Sequence, residues 1–144
     1  MTIEPKDGAL KVLVAIATTR RRAIVHATLD HLRSLKDAPD RVVLAIADDG
    51  DVDQAALADT DLDLVVLRSA KGSSAQRNAV LDHHRDCDIV LFLDDDFLIR
   101  DGYVTALRDL FAGLPDVVMA TGALLADGIH GPGLTHDDGL RILG

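Results

Sequence analysis

The sequence predicts an α/β fold with a mostly parallel sheet flanked by helices. Short apolar segments rich in β-branched residues alternate with segments whose apolar residues recur every three or four positions. This alternation is typical of β–α units, in which parallel strands are joined by right-handed helical crossovers. Acidic residues directly follow two of the apolar segments, so we expect the carboxyl ends of the strands to gather them at one edge of the sheet.

Length and composition indicate one domain. The chain has 144 residues, 48% of them hydrophobic, which is enough for a single core. Its formal net charge of -9 is opposite in sign to that of a typical nucleic-acid-binding surface, so we expect no nucleic-acid partner. The single cysteine, Cys87, excludes an internal disulfide and indicates a reducing compartment.

The sequence shows no secretory signal and no transmembrane segment. The first ten residues lack the apolar centre of a signal peptide, and no apolar run approaches the roughly 18 residues of a membrane span. We therefore expect a cytoplasmic protein, for which peripheral association with a membrane remains open. Residues 1–10 are expected to be a flexible N-terminus and residues 11–144 to form the domain.

Local patterns predict the individual elements. Apolar segments predict strands, at 11–17, 41–47, 62–67, 89–93 and 117–125. Helical spacing of apolar residues predicts helices, clearly over 25–35 and 104–114 and more weakly over 52–58, 75–85 and 137–143. We expect Asp101 to cap the helix over 104–114. We expect the serines of the loop over 69–74 to cap the helix over 75–85.

The strongest chemical signal is the run of three aspartates at residues 94–96. They follow five consecutive apolar residues, which predict a strand buried on both faces. Adjacent carboxylates repel one another, so a fold that gathers them at a cleft needs a divalent cation or a strong hydrogen-bond donor to compensate. The triplet therefore predicts a metal and diphosphate site.

Other polar residues are expected at the same edge of the sheet. The first strand ends in Thr18 and Thr19, the second in Asp48 and Asp49, and the crossover before the triplet carries Lys71 and Arg77. Carboxylates can hold a metal and sugar hydroxyls, while cations and the metal offset phosphate charge, so the combination suits a nucleotide diphosphate. Taken singly, an Asp-Gly turn and surface charges explain these residues equally well.

Four motifs, taken in order, resemble the nucleotide-sugar-binding half of family 2 glycosyltransferases, which have the Rossmann-like GT-A fold. They are VLVAIATT at 12–19, ADDG at 47–50, KGSSAQRN at 71–78 and FLDDD at 92–96. The resemblance covers about residues 12–125. It implies an enzyme that binds a nucleotide-diphospho-sugar donor through Mg²⁺ or Mn²⁺. The sugar would pass to a saccharide or lipid-linked acceptor, in polysaccharide or glycoconjugate synthesis.

The resemblance also implies roles for single positions. Asp49 matches the residue that contacts the nucleotide base, and the loop residues Ala17, Thr18 and Thr19 match the segment along the base and ribose. Arg77 matches the arginine that follows the glycine loop, and we add Lys71 as a donor-binding candidate.

The triplet matches the Asp-X-Asp motif of the family. Asp96 corresponds to the metal ligand that bridges to the diphosphate, and Asp94 corresponds to the acid near the ribose and the metal. Asp95 fills the variable and expendable middle position.

The chain departs from the family pattern at two places. The first-strand loop of the family usually reads Pro-Thr-Tyr-Asn, whereas residues 17–20 are Ala-Thr-Thr-Arg, so aromatic packing on the base is lost or supplied elsewhere. The carboxylate base of the family lies in an acceptor-binding half, which these residues are expected to lack. Asp137 and Asp138 are the late acidic pair, but acids at a helix start explain them more simply, so the catalytic base is unknown.

Three alternatives remain. One is a donor-binding fragment or interaction module without complete catalysis. Another is a receiver-type signalling domain, which is also a small acidic α/β unit that binds Mg²⁺. Such a domain needs an early acidic pair and a late lysine, whereas here the first strand ends in Thr-Thr-Arg and no lysine follows Lys71. A nucleotidyltransferase would need a glycine-rich loop where residues 20–22 are arginines.

Overall fold

The computed structural model describes residues 8–84 and 86–144, and strands and helices alternate through most of this range. The elements are β1 (Val12–Thr18), α1 (Arg22–Ser34), β2 (Arg41–Ile46), a 3₁₀ turn (Asp49–Asp51), α2 (Gln54–Ala58), β3 (Leu64–Arg68), α3 (Ser73–Leu81), β4 (Ile89–Asp94), α4 (Tyr103–Gly113) and α5 (His136–Leu143). Within the described residues no helix is long and apolar enough to span a membrane. The predicted α/β class is confirmed.

Most of the segment expected to be flexible lies outside the described residues. Of residues 1–10, only 8–10 are described. Leu10 packs against the core, and its carbonyl accepts a hydrogen bond of 2.9 Å from Arg108 Nε on α4.

The sheet has four parallel strands in the order β3-β2-β1-β4. The chain adds β2 and β3 on one side of β1 and then crosses over to place β4 on the other side. Ligands of open α/β sheets bind beyond the carboxyl ends of the strands at such a reversal. In the register, Ala17 lies beside both Ala45 and Asp94, so the end of β1 is next to the start of the acidic triplet.

Alternate residues of the central strands fill two separate cores. On β1, Val12, Val14 and Ile16 belong to the core shared with α1 and α4, whereas Leu13 and Ala15 belong to the core shared with α3. Because both faces of β1 and β2 are covered, these strands read as continuous apolar runs rather than alternating ones. The two central strands are therefore covered by helices on both faces of the sheet.

The expectation that β4 is buried on both faces is wrong. Ile89 and Leu93 lie in the core with α1 and α4, but the side chain of Phe92, which points to the other face, leaves 41% of the residue exposed. The helix on that face, α3, packs against β1, β2 and β3. β4 is at the edge of the sheet, where Val90 still packs against the core on the α3 side but Phe92 is not covered.

The strand expected over residues 117–125 does not form. This segment has no regular secondary structure, and Val118 and Met119 are 92% and 85% exposed. The apolar pattern was real, but a strand also needs a neighbour whose backbone groups it can pair with. In the described part of the chain, β4 pairs only with β1, so residues 117–125 do not pair with its outer edge.

Helix capping also differs from expectation. The N-cap residue of α4 is Gly102, and the carboxylate that accepts from its N–H and from that of Thr105 belongs to Asp37, at 2.9 Å in both cases. Asp101 instead accepts from the N–H of Lys36 at 2.9 Å. The N-cap residue of α3 is Gly72, at a φ of 135° that favours glycine, so the serines do not cap it. Caps supplied by residues distant in sequence cannot be recognised from local spacing.

Buried core residues and exposed apolar residues of the 117–125 segment differ in what they contribute to stability. Leu44 is fully buried on β2, so Leu44→Ala should lower the free energy of unfolding by about 2–5 kcal/mol, because it removes apolar contacts and leaves a cavity. Met119→Ala should change it by less than about 0.5 kcal/mol, because its side chain is exposed. Urea unfolding followed by circular dichroism measures both. A loss of similar size in the two variants would contradict this assignment of the core.

Candidate functional site

The acidic triplet alternates between buried and exposed side chains. Asp95 is only 5% exposed, whereas the side chains of Asp94 and Asp96 are 68% and 53% exposed. Asp95 Oδ2 accepts a hydrogen bond of 2.7 Å from Thr18 Oγ1, and the backbone carbonyl of Asp95 accepts one of 2.7 Å from Thr28 Oγ1. Asp95, expected to be the expendable middle residue, is thus the buried anchor of the triplet.

Burial and ion pairing shift the pKa of Asp95 in opposite directions. Loss of solvation raises the pKa of Asp95, and the neighbouring carboxylates of Asp96 and Asp94 add to this effect. The hydrogen bond from Thr18 and the charge of Arg21 work against it but do not overcome it. The compensation that three adjacent carboxylates require comes in part from this one arginine.

Three exposed acids at this edge, Asp94, Asp96 and Asp49, are each paired with an arginine. Arg21 Nη2 lies 2.7 Å from Asp96 Oδ2, and Arg77 Nη2 lies 3.0 Å from Asp94 Oδ1. At the end of β2, the carboxylate of Asp49 is 3.3 Å from Arg68 Nη1, and both side chains are mostly exposed. Exposed pairs of this kind contribute little to stability, so these carboxylates can exchange partners at low cost.

The turn after β2 is held by Asp51 rather than by Asp49. Asp51 is 2% exposed, and its carboxylate accepts from the N–H groups of Arg20 (2.7 Å), Ala47 (3.0 Å) and Asp48 (2.9 Å). Burial alone would raise the pKa of Asp51, but these donors outweigh it and lower the pKa below the usual value for aspartate. One carboxylate therefore joins the loop after β1 to the turn after β2.

Two arginines complete the connection between these loops. Arg20 has a φ of 56°, an uncommon backbone conformation for a residue other than glycine, asparagine or aspartate. Its N–H points at Asp51 in this conformation. Arg22 Nε and Nη2 donate to the carbonyl of Gly50 at 3.1 and 3.0 Å. The loop after β1 is thus tied to the neighbouring turn by both backbone and side chain.

Gln76 is a site residue that the sequence analysis missed. It is 3% exposed on α3, and its Nε2 donates to the carbonyls of Thr18 and Ala45, both at 2.8 Å. These bonds hold the ends of β1 and β2 against α3. The available signal was its position four residues before Val80, which places both residues on the buried face of the helix.

A cleft of about 390 Å³ opens between the two loops. It is lined by Thr19 and Arg20 from the loop after β1, by the turn after β2, and by Lys71 from the loop before α3. Its volume is in the range of small-molecule sites. Of the donor-binding candidates from the sequence, the structure places Thr19 and Lys71 on this cleft. The side chain of Thr18 points to Asp95 and that of Asp49 to Arg68.

The amino-acid sequence of this domain matches a known family. The family model described as Glycosyl transferase family 2 matches residues 13–127. The chain belongs to this family. The match takes in most of β1, the rest of the sheet, α4 and the acidic triplet, so the resemblance inferred from the motifs is confirmed, as is the Rossmann-like GT-A fold class. Comparison with curated proteins and with solved structures found no match.

In this glycosyltransferase domain, the late acidic pair lies at the start of α5. Asp138 Oδ2 accepts from the hydroxyl of Thr135 at 2.7 Å, and Asp138 Oδ1 lies 2.6 Å from Arg141 Nη2. The hydrogen bonds from Thr135, with the charge of Arg141, lower the pKa of Asp138. Its carboxylate is thus engaged in starting the helix, while that of its neighbour Asp137 is exposed.

The donor atoms at the edge suit a hard divalent cation. Asp94 and Asp96 offer exposed carboxylate oxygens, the ligands that Mg²⁺ prefers. Within residues 8–84 and 86–144, no three His, Cys, Asp or Glu side chains are arranged to hold a metal by themselves. The residues therefore fit an ion that takes one or two protein carboxylates and completes its coordination with phosphate oxygens and water.

The depressed pKa of Asp51 predicts acid sensitivity. The unfolded value is about 3.9, so the ionised carboxylate stabilises the fold above about pH 4, and this contribution is lost as pH falls through the lower folded pKa. Asp37 and Asp40 have lowered pKa values and act in the same direction. Asp51→Asn should lower the free energy of unfolding at pH 7 by about 1–3 kcal/mol and flatten its decline in acid.

Urea unfolding at a series of pH values from neutral to acid measures this effect. Asp49→Asn is the matched control, because Asp49 is two residues away but exposed, and it should leave both the stability and the pH profile nearly unchanged. An acid decline equally steep in the Asp51→Asn variant and in the native protein would refute the role given to Asp51.

Proposed function

We propose that this domain binds a nucleotide-diphospho-sugar donor through Mg²⁺ or Mn²⁺ and transfers the sugar to a saccharide or lipid-linked acceptor. Membership of glycosyltransferase family 2 supports donor binding. The observation that carries the proposal is the burial pattern of the triplet. Asp95 is buried, while Asp94 and Asp96 are exposed at the point where the strand order reverses between β1 and β4. Polysaccharide or glycoconjugate synthesis in the cytoplasm is the setting we propose.

The nucleoside part of the donor is assigned to the cleft. Thr19 and Lys71 line it, and the backbone of Ala17 and Thr18 leads into it from β1. The backbone here is rigid because Gln76 and Asp51 hold both loops. Asp49 lies on the turn that lines the cleft, and we propose that it turns from Arg68 to a donor group of the base, which an exposed ion pair permits.

The diphosphate is assigned to the space beside the triplet. Asp96 is the proposed metal ligand, and Asp94 is its partner on the ribose side of the metal. An ion held there would offset the negative charge of the departing diphosphate. Arg77, which pairs with Asp94, and Lys71, which lines the cleft, are the proposed cationic contacts to the phosphates. Positive groups are needed because carboxylates alone would repel this ligand.

The catalytic base is unassigned. Asp137 and Asp138 are the candidates from the sequence, and the helix-capping role of Asp138 favours the exposed Asp137 between them. A donor-binding module without transfer is the second candidate function, and the same capping role favours it. Sugar transfer measured on the native protein and on Asp137→Asn distinguishes the two. Transfer by the native protein that is lost in the variant would identify the base, and no transfer by the native protein would support the module.

Metal-dependent nucleotide binding tests the main proposal. UDP and GDP, titrated calorimetrically, should bind only with Mg²⁺ or Mn²⁺ present, and Asp96→Asn should weaken this binding by about tenfold or more, equivalent to about 1.4 kcal/mol. Asp116→Asn removes an exposed acid on the loop after α4 and should leave the affinity unchanged. Equal nucleotide affinity with and without the metal would refute the proposed metal-dependent donor site.

A further inference from the structure

Arg21 connects the buried and the exposed acid of the triplet. It is the N-cap residue of α1, and its guanidinium donates from Nη1 to Asp95 Oδ1 and from Nη2 to Asp96 Oδ2, both at 2.7 Å. Asp95 is fixed by Thr18 and Thr28, whereas the side chain of Asp96 is 53% exposed. One end of the fork therefore has a fixed partner and the other end a movable one.

This geometry places a protein cation on the oxygen of the proposed metal ligand. A metal ion that takes Asp96 Oδ2 competes with Arg21 Nη2 for the electron pairs of that oxygen. The guanidinium cannot then move far, because Asp95 Oδ1 still holds Nη1. A bare cation at Asp96 would thus lie close to a permanent positive charge, and the repulsion between them weakens its binding.

A nucleotide diphosphate changes the balance. Its negative charge offsets that of the metal and of Arg21, and its oxygens can accept the hydrogen bond that Nη2 gives up. We propose that Arg21 is a positioning residue that holds Asp96 until metal and nucleotide arrive together, and so makes metal binding depend on the nucleotide. This inference rests on the proposed function of the site.

The coupling follows from linkage between the two ligands. If Arg21 opposes bare metal more than it opposes the metal with a diphosphate, then nucleotide raises metal affinity, and metal raises nucleotide affinity by the same factor. Removal of Arg21 should reduce this factor, because it strengthens the binding of the metal alone. A purely structural role for Arg21 predicts the reverse, since a disordered triplet would bind metal more weakly.

Direct titration with Mn²⁺ separates these cases. Free Mn²⁺ is measured by electron paramagnetic resonance on the full chain without nucleotide, for the native protein, Arg21→Gln and Arg21→Lys. We expect Arg21→Gln to bind Mn²⁺ at least about fivefold more tightly than the native protein, the lower end of usual coupling factors. Arg21→Lys, which keeps one charge but loses the fork, should lie between them and provides the answer if Arg21→Gln does not fold.

Arg33→Gln is the matched control for charge. Arg33 is in the last turn of α1, is exposed to a similar degree and pairs with Asp30. It removes the same charge without touching the triplet, so it should change Mn²⁺ affinity by less than about twofold. Calorimetry of UDP and GDP at fixed Mn²⁺ then shows whether the enhancement by nucleotide is smaller in Arg21→Gln.

Two outcomes overturn the inference in distinguishable ways. Mn²⁺ affinity that is equal or lower in the folded Arg21 variants, with nucleotide binding still dependent on metal and on Asp96, removes the role of Arg21 and leaves the proposed function intact. Nucleotide binding that is independent of Mn²⁺ in every variant removes both proposals.

Discussion

The buried carboxylate of Asp95 is the contact on which the rest of the site depends. Asp95, at the end of β4, joins three elements. Its carboxylate accepts from Thr18 at the end of β1 and from Arg21 at the start of α1, and its backbone carbonyl accepts from Thr28 within α1. A buried carboxylate is costly unless hydrogen bonds and charge compensate it, and Thr18 and Arg21 do so in part. The same contacts turn Asp94 and Asp96 outward, where a ligand can reach them.

The two sides of the site are organised differently. Around the cleft, Asp51 and Gln76 accept from or donate to backbone groups of the loops, which gives the cleft a fixed shape. Around the triplet, Asp94 and Asp96 form exposed pairs with arginines, which are weak and can be exchanged for phosphate contacts. The cleft is therefore held in one shape, whereas the charged side chains of the triplet are free to change partners.

Much apolar surface lies beyond the triplet. Phe92 on the edge strand, together with Val118, Met119 and Leu125 in the irregular segment that follows α4, is exposed to solvent. On the α3 face of the sheet, Val90 of β4 packs against the core, but Phe92 does not. The protein therefore divides into a well-packed part that holds the cleft and a loosely packed part on the far side of β4.

The sequence by itself determined the α/β class, the positions of the four strands that form and the family, because apolar period and the order of short motifs are local properties of the chain. It also located Thr19, Lys71 and the triplet at one edge. Only the tertiary structure decided that Asp95 and Asp51 are buried, that Gln76 joins two strands, and that residues 117–125 lack a partner. These depend on which groups meet across the fold, since a carboxylate or an apolar segment has no fixed role until its neighbours are set.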